Sequence, residues 1–136
     1  MSQIFVSYSR RDEEAVGRLV EAVEQDGHRV FLDQDISGGQ QSRESIVTAI
    51  RKADVFMVVL SPVSIVSDHV RKELDIAEDE KKPIVPVVIE QAAIPAKMVY
   101  QLAGLQSIDL AADARARYGS VKEALRAAQA SFVSWS

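Results

Sequence analysis

Apolar residues fall into short blocks along this chain, and two periods alternate. "QIFVSY" (Gln3–Tyr8), "HRVFLD" (His28–Asp33), "DVFMVVL" (Asp54–Leu60), "PIVPVVI" (Pro83–Ile89) and "LQSIDL" (Leu105–Leu110) are strand-length runs. The third is apolar after its first residue, as a central strand covered on both faces is. Between the runs, apolar residues recur three and four apart. Val16, Leu19, Val20 and Val23 make one helical stripe, and Ile46, Ala49, Ile50 and Ala53 make a second. A third helix is predicted from about Ser67 to Lys81, with Val70, Leu74 and Ala77 inward. A last helix opens at Ser120 and Glu123 and presents Val121, Leu125, Ala128 and Phe132.

Local signals mark the boundaries. Ser9 is predicted to cap the first helix, with Asp12 three residues on as the partner in a capping box. Gly27 ends that helix, and Ser42 caps the second. "QDISGGQQ" (Gln34–Gln41) reads as a loop. Pro86 interrupts the fourth strand, and a bulge is expected there because proline cannot donate to a ladder.

Strands separated by helices pair in parallel through right-handed crossovers. The pattern therefore predicts an α/β, flavodoxin-like three-layer fold with a five-stranded parallel sheet in the order 2-1-3-4-5. Its 136 residues fit one domain, 1–136. In this topology ligands bind at the carboxyl ends of strands 1 and 3. Tyr8, Ser9 and Arg10 follow strand 1, Ser61 and Pro62 follow strand 3, and the third helix starts on the same rim. Glu73 lies on that helix beside its inward stripe, an odd position for a carboxylate.

Composition narrows the functions. The net charge of −4 supplies no basic excess to neutralise phosphates, so nucleic acid is not an expected partner. The absence of cysteine excludes disulfides and thiolate chemistry. No apolar run approaches the roughly 18 residues of a membrane span. The N-terminus lacks the basic lead of a signal peptide. Together these fit a cytoplasmic chain with no membrane partner. No phosphate-binding glycine loop occurs, and no metal-ligand spacing joins His28 to His69. A receiver-domain site needs an aspartate at the end of strand 3, where this chain has Ser61.

The motifs that remain match one family in order. "IFVSYSRRDEEAVGRLVEAVEQDGHRVFLD" resembles the opening of bacterial TIR (Toll/interleukin receptor) domains. "DISGG" resembles their mobile loop, and "ADVFMVVLSPVSIVSDHVRKEL" followed by "KPIVPVVI" resembles their third strand, third helix and fourth strand. The resemblance covers roughly Gln3 to Leu110. Some TIR domains act only by TIR–TIR contact, as adaptors. Others cleave the nicotinamide–ribose bond of NAD⁺ with a glutamate of the third helix, whose match here is Glu73.

The resemblance thus implies NAD⁺ as substrate rather than cofactor, with nicotinamide and ADP-ribose or cyclic ADP-ribose as products. It also implies other TIR domains as partners, in a homo-oligomer or filament that activates the site. Domains of this kind are usually joined to a sensor. A nucleoside-processing transferase on the same topology is a third possibility.

Each site residue carries two readings. Glu73 is either a solvated helix acid or the substrate-facing carboxylate. His69 stands where enzymatic members usually carry tryptophan, and it either contacts ligand or is a surface residue or orienting partner of Glu73 one helical turn away. Arg10 and Arg11 either hold a pyrophosphate or sit in water. Tyr8 is either core or pocket wall, Ser9 is first a helix cap, and Asp33 either anchors the next loop or meets ligand. Asp35, Ile36, Gly38 and Gly39 belong to the loop expected to mediate assembly.

Overall fold

Val55–Leu60 (β3) is apolar at every position and buried at every position, which requires a layer of helices on each side. The computed structural model describes residues 2–32, 43–105 and 107–111. Within them, β1 (Gln3–Ser7), α1 (Glu13–Gln25), β2 (Arg29–Leu32), α2 (Arg43–Lys52) and β3 are followed by α3 (Asp68–Asp79), β4 (Ile84–Val88), α4 (Ala96–Leu102) and β5 (Ile108–Asp109). All strand pairs are parallel, and the sheet order is β2-β1-β3-β4-β5. This is the flavodoxin-like order that the alternating pattern predicts.

The two faces of the sheet bury different sets. Ile4, Val6 and Tyr8 of the β1 segment pack with Val16, Leu19 and Val23 of α1. Phe5 points the other way, with Phe56, Val58 and Leu60, against Ile50 of α2 and Val70, Leu74 and Ala77 of α3. The Phe5 and Phe56 rings stack at 5.5 Å between centroids. Each such buried side chain contributes about 1.5–3 kcal/mol relative to exposure, so this packing fixes where α3 sits on β1 and β3.

Several expectations change. The bulge at Pro86 is absent: Val58↔Pro86 falls in an unbroken register between Met57↔Val85 and Val59↔Val87. Ile89 N–H donates to Leu60 of β3, whereas the carbonyl of Val88 accepts from Leu110 on the β5 side. Even-numbered residues of β4 therefore face β5. The nitrogen of Pro86 does so too, one residue before paired contact begins at Val87↔Ile108. The ladder to β3 never needed that N–H.

The first helix starts later than predicted, because Ser9 caps a short 3₁₀ turn, Arg10–Asp12, and α1 begins at Glu13. The third helix ends at Asp79 rather than Lys81. There Lys81 adopts φ 56°, and Lys82 N–H reaches back to Ala77 O at 3.0 Å, a Schellman-type end. The helix α4 was not predicted. The expected helix after Ser120 lies outside the described residues.

Candidate active site

The serines and acids at the carboxyl end of β1 are placed by strand alternation. Phe5 faces α2 and α3, so Ser7, two residues on, faces them as well. Glu73 lies on the buried stripe of α3 with Val70, Leu74 and Ala77. The two meet: Ser7 Oγ donates to Glu73 Oε1 at 2.7 Å. Ser7 is 1% exposed and Glu73 2%. The reading of Glu73 as a solvated helix acid is therefore corrected; the helix phase that buries Leu74 also turns position 73 inward. Ser7 was not singled out from the sequence. Its signal was a polar residue in phase with Phe5, inside a strand otherwise buried on both faces.

His69 starts the same helix but turns to the strand end. Its Nε2 lies 3.0 Å from the main-chain carbonyl of Tyr8, and its Nδ1 lies 3.0 Å from Ser67 Oγ. A carbonyl only accepts, so Nε2 carries the hydrogen. Ser67 also caps α3, accepting from Val70 N–H at 3.5 Å. His69 thus ties the first turn of α3 to the end of β1, and Glu73 accepts from Ser7.

Tyr8 is 3% exposed and its side chain belongs to the α1-side core, so the ring reads as core rather than pocket wall. Its carbonyl is the group on the rim. Ser9 is buried and its Oγ accepts from Arg11 N–H at 3.4 Å, the cap expected of it. The reciprocal half of a capping box does not form. Asp12 Oδ2 instead accepts from Ser61 Oγ at 2.5 Å, joining the turn after β1 to the end of β3. Ser61 is itself held, since its N–H donates to Ser64 Oγ and its Oγ accepts from Ser64 N–H.

Arg10 and Arg11 are exposed on the 3₁₀ turn. Asp33, Asp35, Ile36, Gly38 and Gly39 lie outside the described residues. The fold thus gathers Ser7, the Tyr8 carbonyl, Ser9, Arg10, His69 and Glu73 at one edge. A carboxylate there can stabilise cationic charge, and the exposed arginines of the 3₁₀ turn can meet phosphate.

Grooves lined by described residues other than Glu73 lie elsewhere, two of them on the side of the sheet that α2 and α3 cover. One of about 310 Å³ is lined by Leu60, Pro86, Val88, Ile94 and Leu102. The other, about 500 Å³, lies between β2 and α2 and includes Phe31, Glu44 and Lys52. Among the described residues, no group of three His, Asp or Glu side chains could hold a metal ion. No described helix is long and apolar enough to cross a membrane.

Comparison with known proteins gives the geometry a family. The chain is 30% identical over 103 residues to the NAD(+) hydrolase tir-1 of Caenorhabditis elegans. That match takes in 69% of this chain and 10% of the relative, so the chain spans about a tenth of that protein's length. Among solved structures it resembles the TIR domain of the Toll-related receptor TRR-2 from Hydra magnipapillata. There the TM-score is 0.77 at 22% identity, covering 95% of this chain and 99% of the other. It also resembles the TIR domains of the activated Roq1 resistosome, with a TM-score of 0.68 at 17% identity, covering 92% and 99%. The named organisms are a nematode and Hydra, so these relatives do not mark the bacterial branch that the motifs resemble. A family model described as TIR domain matches residues 4–126, and the chain belongs to the TIR domain family.

Proposed function

We propose that this TIR domain cleaves the nicotinamide–ribose bond of NAD⁺, with Glu73 as the carboxylate that stabilises the ribosyl cation. One observation carries the proposal: a buried carboxylate on the third helix, held against β1 at the carboxyl end of the sheet. Burying a carboxylate is costly, and an apolar residue there would serve packing better, so packing alone does not account for it. The identity to an NAD(+) hydrolase supports the same reading.

The reaction needs little more from the protein. The C1′–N bond breaks with its electron pair going to the pyridinium nitrogen, and nicotinamide departs neutral, so no general acid is required. Positive charge develops on the ribose, where a fixed anion lowers the barrier. Water then attacks C1′ and gives ADP-ribose, or the adenine of the same molecule attacks and gives the cyclic product. In this reading Ser9, Arg10, Asp33, His69 and the Tyr8 backbone complete the substrate pocket.

Activation by self-association fits the burial of Glu73. A carboxylate only 2% exposed meets no dissolved nucleotide until the site opens. The Roq1 TIR domains belong to a structure named an activated resistosome, which supports assembly as the trigger. The test is nicotinamide release by concentrated protein, beside a Glu73→Gln variant. Release by the wild type and none by the variant is expected. The second reading, a TIR adaptor without catalysis, draws on the same burial: the Ser7–Glu73 pair would then be a structural link. Self-association with no nicotinamide release would decide for it.

A further inference from the structure

We infer that Ser7 is the positioning residue for Glu73, an inference that rests on the NAD⁺-cleaving reading above. Ser7 sits on β1, which is paired on both sides, by β2 through Gln3–Val6 and by β3 through Ile4–Ser7. That strand is a fixed reference near the site. Glu73, by contrast, reaches the sheet on a side chain with three rotatable torsions from a helix packed over it. A hydrogen bond, 2.7 Å from Ser7 Oγ to Glu73 Oε1, links the two. The length is that of an ordinary O–H···O hydrogen bond, about 2.7–2.8 Å.

Three facts together argue for positioning rather than packing. The serine lies in phase with Phe5 on the face that packs against α2 and α3, where an alanine or valine would fill space without a polar cost. Its hydroxyl is spent on the one acid of the buried α3 stripe. With that hydroxyl engaged by Oε1, its effect on the reaction passes through Glu73. The carboxylate must stand close to C1′ when the bond breaks, and a misplacement of about 1 Å can lower a rate by about a hundredfold.

The experiment is steady-state nicotinamide release by the full chain and three variants, at the protein concentration that maximises wild-type activity, with thermal melting of each. Ser7→Ala should lower kcat by about ten- to a hundredfold while KM stays within about twofold. Ser7→Thr restores the hydroxyl and should recover kcat to within about threefold of wild type. A merely structural serine would lower Tm and the folded fraction, yet leave kcat per folded molecule unchanged. A folded Ser7→Ala protein with wild-type kcat overturns the inference, as does a folded Ser7→Thr protein no better than Ser7→Ala. If Ser7→Thr melts below the assay temperature, Ser7→Cys, a weaker donor, takes its place. A kcat between those of Ser7→Ala and wild type then supports positioning, and one equal to either overturns it. A wild-type chain that releases no nicotinamide overturns the catalytic reading and this inference with it. Loss of activity in Glu73→Gln but not in Ser7→Ala overturns the inference alone.

Discussion

His69 and Tyr8 are joined across the rim of the sheet: the imidazole Nε2–H donates to the Tyr8 carbonyl at 3.0 Å, so the first turn of α3 is fastened to the end of β1. Ser67 adds a second fastening, because its hydroxyl serves both His69 Nδ1 and the α3 cap. Glu73 follows one turn later on the same helix.

His69→Ala removes the link without disturbing the core, since His69 is exposed. A neutral hydrogen bond of this kind contributes about 1 kcal/mol, so Tm should fall by a few degrees. The start of α3 should also exchange its amide hydrogens faster. Unchanged exchange at Val70 and Arg71 would show that the link does not hold the helix.

Because Glu73 is buried, its replacements should separate activity from stability. Glu73→Gln keeps size and an oxygen that can accept from Ser7, so we expect Tm within a few degrees of wild type and loss of nicotinamide release. Glu73→Ala leaves space in the α3 layer and deprives Ser7 of its acceptor, at a cost of about 1–3 kcal/mol. A Glu73→Gln protein that turns over NAD⁺ at the wild-type rate sinks the catalytic assignment.

Asp12 and Ser61 close the gap between the strand ends, with the hydroxyl fully buried. Asp12→Ala takes away an acceptor from a buried donor and should destabilise by about 1–3 kcal/mol. Asp12→Asn keeps an acceptor oxygen and should lose less. Chemical denaturation of the pair ranks them, and equal midpoints would count against the bond.

Most of the scaffold was legible in the chain, and the reasons are specific. The uniformly apolar β3 run and the stripe of Val16, Leu19 and Val23 leave little choice of period, so the sheet order followed from strand and helix alternation. What was hidden depends on contacts far apart in sequence. Ser7 and Glu73 lie 66 positions apart, and only the packing of α3 on β1 makes them partners. Asp12 looked like a local cap because its true partner, Ser61, is 49 positions away. The Pro86 bulge was expected because sequence does not say which neighbour a strand nitrogen faces. The helix α4 was missed because its 7 residues make only about two turns and its buried residues are Met98 and Gln101, one of them polar.

Lys81 ends α3 in the left-handed region, with φ 56°, where a side chain costs about 1–2 kcal/mol relative to glycine. It lies at the opposite end of α3 from His69. Lys81→Gly should raise Tm by a few degrees, part of the gain being offset by the freer unfolded chain, and leave nicotinamide release per folded molecule unchanged. A lowered Tm would mean that the lysine side chain contributes a contact worth more than the strain.

In the proposed NAD⁺-cleaving reading, a carboxylate 2% exposed in the single chain meets substrate when the site opens. If opening is coupled to association, specific activity rises with protein concentration instead of staying constant. Gly38 and Gly39 lie outside the described residues, but their chemistry is plain: glycine reaches backbone conformations closed to other residues, and proline fixes φ near −65° and removes a donor. Gly39→Pro should therefore give a folded chain that neither self-associates nor cleaves NAD⁺. The measurement is specific activity against concentration, with light scattering on the same samples. Wild-type protein should show activity and scattering mass rising together, and Gly39→Pro should show neither. Constant specific activity from dilute monomer upward, or a fully active Gly39→Pro monomer, would overturn the link between assembly and the exposure of Glu73.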